Sequence, residues 1–135
     1  MSAPARVDPP EPDADSAPFW DGLRAERITL PRCTDCGRLR FPPIGRCPWC
    51  ASASSTAETV DGAGSVYSWI VVHRAFHAAM RDEVPYVVAT VDLDAGPRMA
   101  LRLDDADGSV DFGLRVRPRF VHHPEWTELR MVPGA

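Results

Sequence analysis

Beyond Val60 the chain alternates apolar and polar residues with the period of two that sends successive side chains to opposite faces of a strand. Five β-rich runs can be read, at 64–73 (GSVYSWIVVH), 84–93 (VPYVVATVDL), 97–103 (PRMALRL), 112–121 (FGLRVRPRFV) and 126–132 (WTELRMV), divided by Gly, Pro or Asp turn signals. No segment between them supports a long helix, which argues against βαβ crossovers and a parallel sheet. Five short antiparallel strands close most naturally as a small barrel, with the OB-fold the leading architecture.

Upstream the texture differs. Between 28 and 53, proline, glycine and cysteine are dense and periodicity is lost, the mark of a small module held by something other than a hydrophobic core. Phe19, Trp20 and Leu23 recur at near-helical spacing and predict a short amphipathic helix over 19–27, with Asp21 favouring its start and Arg24 and Arg27 its end. Two aromatics on so short a helix imply that one face docks, on the chain's own modules or on a partner. Residues 1–18 are rich in Pro, Ala, Asp and Ser and read as a disordered acidic tail. The expected organisation of this mainly β chain is a tail over 1–18, a helix over 19–27, a small module over 28–55 and a five-stranded OB-fold-like barrel over 56–135.

At 135 residues there is room for one compact domain with a small appendage. No stretch approaches the roughly 18 apolar residues of a membrane span, and the first residues lack signal-peptide character, so a cytoplasmic location is expected. The net charge is −4, from 15 basic and 19 acidic residues, and every basic residue is arginine. Without lysine, Schiff-base and lysine general-base chemistry are excluded. Bulk charge predicts no strong nucleic-acid binding.

All four cysteines lie between positions 33 and 50, as Cys33-Thr34-Asp35-Cys36-Gly37 and Cys47-Pro48-Trp49-Cys50, with ten residues between Cys36 and Cys47. Each C-x-x-C forms a knuckle that aims two sulfurs at one centre, and the intervening loop is long enough to fold back and complete a tetrahedron. The reading is a zinc ribbon with a structural Zn2+ on Cys33, Cys36, Cys47 and Cys50. Four thiolates also hold iron, and spacing alone does not choose the metal. A closed site has no open coordination position, so the ion is a scaffold and not a catalyst.

With every thiol assigned to the metal and no G-x-S-x-G elbow, nucleophilic catalysis is not expected, and the chain reads as a non-enzyme. His73 and His77 belong to the stretch HRAFHAAMRDEVP, in a long inter-strand loop with Phe76, Met80 and Tyr86; loops of this length commonly carry function. The period of two places Arg115, Arg117 and Arg119 on one strand face, and Arg98 and Arg102 alternate likewise, so up to five arginines share the barrel exterior. That face is either solvated and balanced by Asp104, Asp105, Asp107 and Asp111, or a contact for a protein, the phosphates of coenzyme A, or nucleic acid.

The order of parts resembles the DUF35 family over nearly everything from Phe19 to Pro133: the helix, the ribbon RCTDCGRLRFPPIGRCPWC with Phe41-Pro42-Pro43 and Cys47-Pro48, then GSVYSW and PYVVATVDLDAGPRMALRL. The resemblance implies a rubredoxin-like zinc ribbon joined to an OB-fold. It also implies a non-catalytic partner of thiolase-superfamily enzymes: thiolase and HMG-CoA synthase assemblies, acyltransferase complexes, or lipid-transfer-protein-like aldolases of steroid side-chain breakdown. In the steroid pathway such a domain is also attached to a MaoC-like hydratase, a region this sequence lacks. An accessory subunit that stabilises its enzyme and helps shape the thioester passage is therefore expected. Phe19, Trp20, Phe76, His77, Arg98, Arg102, Arg115, Arg117 and Arg119 are the candidate partner or CoA contacts. An acyl-CoA-binding module is the rival, and a single-strand nucleic-acid binder using Tyr67 and Trp69 ranks below it.

Overall fold

The computed structural model describes residues 6–134; positions 1–5 of the expected tail lie outside the described residues. One helix, α1 (Ala17–Arg24), precedes seven strands: β1 (Ile28–Cys33), β2 (Ser55–Val60), β3 (Gly64–Val72), β4 (Tyr86–Leu93), β5 (Arg98–Leu103), β6 (Arg115–His122) and β7 (Thr127–Pro133). The chain is mainly β, and β3 to β7 close a five-stranded barrel in the order β3-β4-β5-β7-β6. All neighbours are antiparallel except β5 and β7, which meet in parallel at Leu103 and Met131.

The alternation read from the sequence is what fills this barrel. Ala89, Val91 and Leu93 of β4, Met99 and Leu103 of β5, Val116 of β6 and Leu129 and Met131 of β7 are all buried, and their removal from water is the main stabilising term at roughly 25 cal/mol per Å². The strands begin one to three residues later than the pattern predicts at β4, β5, β6 and β7. At β6 the reason is local: Gly113, at φ 81°, donates its N–H to Val66 O and turns the chain before Arg115. Between β5 and β6 there is no helix among the described residues.

Helix α1 begins two residues before the predicted start and ends three before the predicted stop. A reciprocal pair sets the start: Ser16 N–H donates to Asp13 Oδ1 at 2.8 Å, Asp13 N–H donates to Ser16 Oγ at 3.0 Å, and Pro18 sits in the first turn. The end is a Schellman closure, with Arg27 N–H on Gly22 O and Glu26 N–H on Leu23 O, and Glu26 at φ 59°. Asp21 therefore lies mid-helix. Gly22 lets α1 approach β1, because a Cβ there would lie 2.7 Å from Thr29 Oγ1.

The helix docks on its own chain. Phe19 and Leu23 are buried, and a run of rings joins the modules: Phe41 to Phe19 at 5.6 Å, Phe19 to Trp20 at 5.2 Å, Trp20 to Trp126 at 6.1 Å, and Trp126 stacked on His123 at 4.6 Å. No helix among the described residues is long and apolar enough to cross a membrane.

Candidate metal centre and contact surfaces

The antiparallel pair β1–β2 forms the base of the ribbon, with Cys33 paired to Ser55 at its end and Arg32 bonded across to Glu58. Two knuckles rise from it with the same backbone pattern. Cys33 N–H donates to Arg38 O and Gly37 N–H to Cys33 O, both at 2.9 Å; Cys47 N–H donates to Ser52 O at 2.9 Å and Ala51 N–H to Cys47 O at 2.8 Å. The residue after each second cysteine is left-handed, Gly37 at φ 79° and Ala51 at φ 64°. Ser52 Oγ donates to Asp35 and ties one knuckle to the other.

This pseudo-twofold arrangement gathers the four sulfurs so that all lie within 4.8 Å of one another, with Cys33 to Cys50 and Cys36 to Cys47 at 3.5 Å. Zinc–sulfur bonds of about 2.3 Å require tetrahedral edges of about 3.8 Å, so the cage has the right size. It is too open for disulfides, whose bonds are about 2.05 Å. The thiols also interact electrostatically. The Cys36 N–H, with help from Asp35 N–H, pulls the Cys33 thiol down to about 6. At Cys50 the Ser52 N–H acts in the same sense, but the Cys33 thiol, burial and the other two thiols outweigh it and push the group up to about 12. Four such sulfurs ionise together only around a cation, which is the chemistry of a metal centre.

Arginines brace the same loops: Arg32 donates to Gly37 O at 2.6 Å, Arg40 to Ile44 O at 2.9 Å and Arg46 to Ala51 O at 3.0 Å, while Arg38 lies over Trp49 at 5.2 Å. Arg40 is 2% exposed, with Nη1 unpartnered among the described residues. Nothing in its sequence context marked it as a buried cation, since arginine ordinarily keeps its head in water.

The remaining candidate residues are dispersed. Phe19 is 5% exposed and belongs to the internal core, and Trp20 packs half-buried against Trp126. Phe76 is 80% exposed, and the His77 ring accepts Ala79 N–H at 3.0 Å to cap the short 3-10 turn Ala78–Met80. Four of the five barrel arginines carry carboxylate partners. Arg98 binds Asp92 at 2.6 Å and covers the Tyr67 ring at 3.7 Å; Arg115 grips Asp94 through two bonds of 2.8 and 2.6 Å. Arg102 binds Glu83 at 2.7 Å and Asp104 at 3.2 Å, and Arg119 reaches Asp104 at 3.3 Å. Arg117 has no ion pair among the described residues.

Sequence reasoning missed a charged cleft of 350 Å³ between residues 6–9, the 79–83 loop and the β6–β7 turn, with Met80, Arg102, His123, Trp126, Glu128 and Arg130 in its lining. Arg130 bonds both Glu128 and Asp104, and His123 Nε2 lies 2.9 Å from Glu128 Oε1. The alternation of Glu128 and Arg130 on β7 was the available signal.

Family models match both modules: "ChsH2, rubredoxin-like zinc ribbon domain" over residues 20–55 and "ChsH2, C-terminal OB-fold domain" over residues 57–121. A DUF35 domain-containing scaffold protein of Methanothermobacter thermautotrophicus is 32% identical over 95 residues, covering 69% of this chain and 71% of the relative. The solved structure described as "Ltp2-ChsH2(DUF35) aldolase" superposes with a TM-score of 0.82 at 32% identity, covering 94% of this chain and all of that one. The chain belongs to the DUF35 family. Its four cysteines form the zinc site of the DUF35 ribbon, and its barrel is the DUF35 OB-fold. Other relatives carry enzyme-subunit names. The 3-oxo-4,17-pregnadiene-20-carboxyl-CoA hydratase alpha subunit of Mycobacterium tuberculosis is 36% identical over 132 residues, 93% of this chain and 42% of the relative. The benzoylsuccinyl-CoA thiolase subunit BbsA of Thauera aromatica is 32% identical over 98 residues, 73% of this chain and 65% of the relative. This DUF35 chain spans 33% and 42% of the length of two hydratase alpha subunits it matches.

Proposed function

We propose that this chain is a non-catalytic accessory subunit that docks on a thiolase-superfamily acyl-CoA enzyme, stabilises it and helps shape the passage for the thioester. The observation that carries the reading is the end-to-end likeness, ribbon and barrel together, to the DUF35 chain of the Ltp2-ChsH2 aldolase structure. Relatives named as scaffold proteins and as a thiolase subunit support it. The chemistry of the chain agrees: all four thiols are committed to a closed metal centre, and three of the four histidines are engaged with neighbours, His77 with Ala79 N–H, His122 with Thr127 and Glu26, and His123 with Glu128. The rival, an acyl-CoA-binding module, draws less support, because phosphates would have to displace the carboxylates that already hold Arg98, Arg102, Arg115 and Arg119.

Co-expression with a thiolase-superfamily enzyme tests the proposal. The expected result is a stoichiometric complex and a gain in the enzyme's solubility or turnover. Thioester turnover by the isolated chain, or micromolar CoA binding without any complex, contradicts it.

A further inference from the structure

The barrel closes unevenly. Strand β3 pairs with β6 only at Gly64 and Ser65, and the next residue on that side, Val66, bonds Gly113 and Leu114. From 67 to 72 the backbone partners of β3 among the described residues are all in β4, as far as Val72 opposite Tyr86. The outer half of β3 thus presents a free edge of six residues, about 20 Å long. Ile70 is 62% and its neighbour Val71 45% exposed, so both faces of the strand stand in water at this point. The run YSWIVV contains no charge and no proline, the features that ordinarily blunt an exposed edge against pairing. Phe76, exposed, extends the apolar surface beyond it, and Phe112, also exposed, lies alongside it with its ring 5.0 Å from that of Trp69.

We infer that this edge of β3, residues 67–72, is the docking site of the enzyme subunit, which adds an extended strand to it, apolar along 67–72; the inference rests on the accessory-subunit reading above. Main-chain bonds supply the attachment, and alternate apolar side chains supply the fit. Charge complementarity defines the partner further. Just past the edge, Arg74 lies over the Phe76 ring at 5.3 Å and has no ion pair among the described residues. The added strand therefore carries a carboxylate where it meets Arg74. A second copy of this chain is the poorer occupant. Two edges paired with each other would each bring Arg74 without an acid to meet it.

The test is amide hydrogen exchange on the full chain, alone and with the thiolase-like enzyme, together with the affinities of Ile70→Lys and Val71→Lys; both positions are exposed, so the fold tolerates them. The expected result is protection of amides 67–72 in the complex and affinity weakened about tenfold or more by either variant, with Ile44→Lys, on the ribbon, binding as wild type. A complex that leaves exchange at 67–72 unchanged, or that Ile70→Lys joins as tightly as wild type, overturns the edge assignment alone. A homodimer of the isolated chain that Ile70→Lys dissociates, beside an unaffected complex, assigns the edge to a second copy and also overturns it. If the wild-type chain forms no complex, the accessory reading fails and takes this inference with it.

Discussion

Trp20 of the helix and Trp126 of the barrel meet edge to face, with ring centroids 6.1 Å apart and planes inclined at 71°. The geometry is the favourable one for aromatic quadrupoles, and it is one of the links by which the helix-and-ribbon half holds the barrel, beside the Glu26–His122 contact at 3.1 Å. Replacing Trp20 by Ala is expected to cost about 2 kcal/mol, less than a fully buried Trp because one face is already wet. Urea unfolding followed at separate ribbon and barrel probes should change from coincident transitions to separated ones. Transitions that stay coincident and equally stable would show that the pair does not couple the halves.

The ribbon depends on its ion. A structural zinc contributes on the order of 10 kcal/mol in small ribbon peptides, and β1–β2 with two knuckles has little apolar core of its own. Chelation at neutral pH is expected to remove one zinc per chain and unfold 28–60 while β3 to β7 keep their strand signal. Far-UV circular dichroism and amide exchange before and after chelation measure this; an unchanged ribbon would contradict it.

The two knuckles differ at one informative place. Ala51 adopts the left-handed conformation that Gly37 adopts in the other half, at a cost of roughly 1 kcal/mol for a residue with a Cβ. Ala51→Gly should therefore stabilise the zinc-loaded ribbon by up to about 1 kcal/mol, and Gly37→Ala should destabilise it by a similar amount. Chelator competition reads both, and equal affinities for the three proteins would count against the argument.

Glu128 gives the fold a pH dependence of definite sign. Burial alone would raise its carboxyl, but hydrogen bonds from Arg130 and His123 outweigh it and hold the group below the ordinary range. A depressed carboxylate contributes stability that is complete above the unfolded value, near 4.5, and lost as pH falls through the lower folded value. The gap in Tm between wild type and Glu128→Gln should be widest near neutral pH, worth about 1 kcal/mol or more, and should close on acidification. A gap that widens towards acid would reverse the sign and refute the pairing.

How much of this was legible beforehand depends on which residues carried the signal. The five barrel strands were, because Val66, Val91, Met99, Val116 and Leu129 alternate with polar neighbours and all face inward. So was the cage, because two C-x-x-C pairs at a hairpin's distance have few other uses. Strand β2, over STAETV, was not: its side chains are mostly exposed, so no apolar period marks it, and it crosses the boundary expected between 55 and 56. The helix start was hidden in Asp13 and Ser16, a reciprocal pair inside a stretch whose composition reads as tail. The arginine stripe was legible as a stripe, but its carboxylate partners come from other strands and loops, and only the folded chain sets Asp94 beside Arg115 and Asp92 beside Arg98.

The central claim is that this chain acts by holding an enzyme and performs no chemistry itself. Native mass spectrometry of the chain co-expressed with the thiolase-like protein tests it most directly. The account predicts a stoichiometric hetero-complex with one zinc per DUF35 chain, and thioester turnover that is found only with the enzyme subunit present. Separate, non-associating proteins, or turnover by the zinc-loaded chain alone, would contradict it.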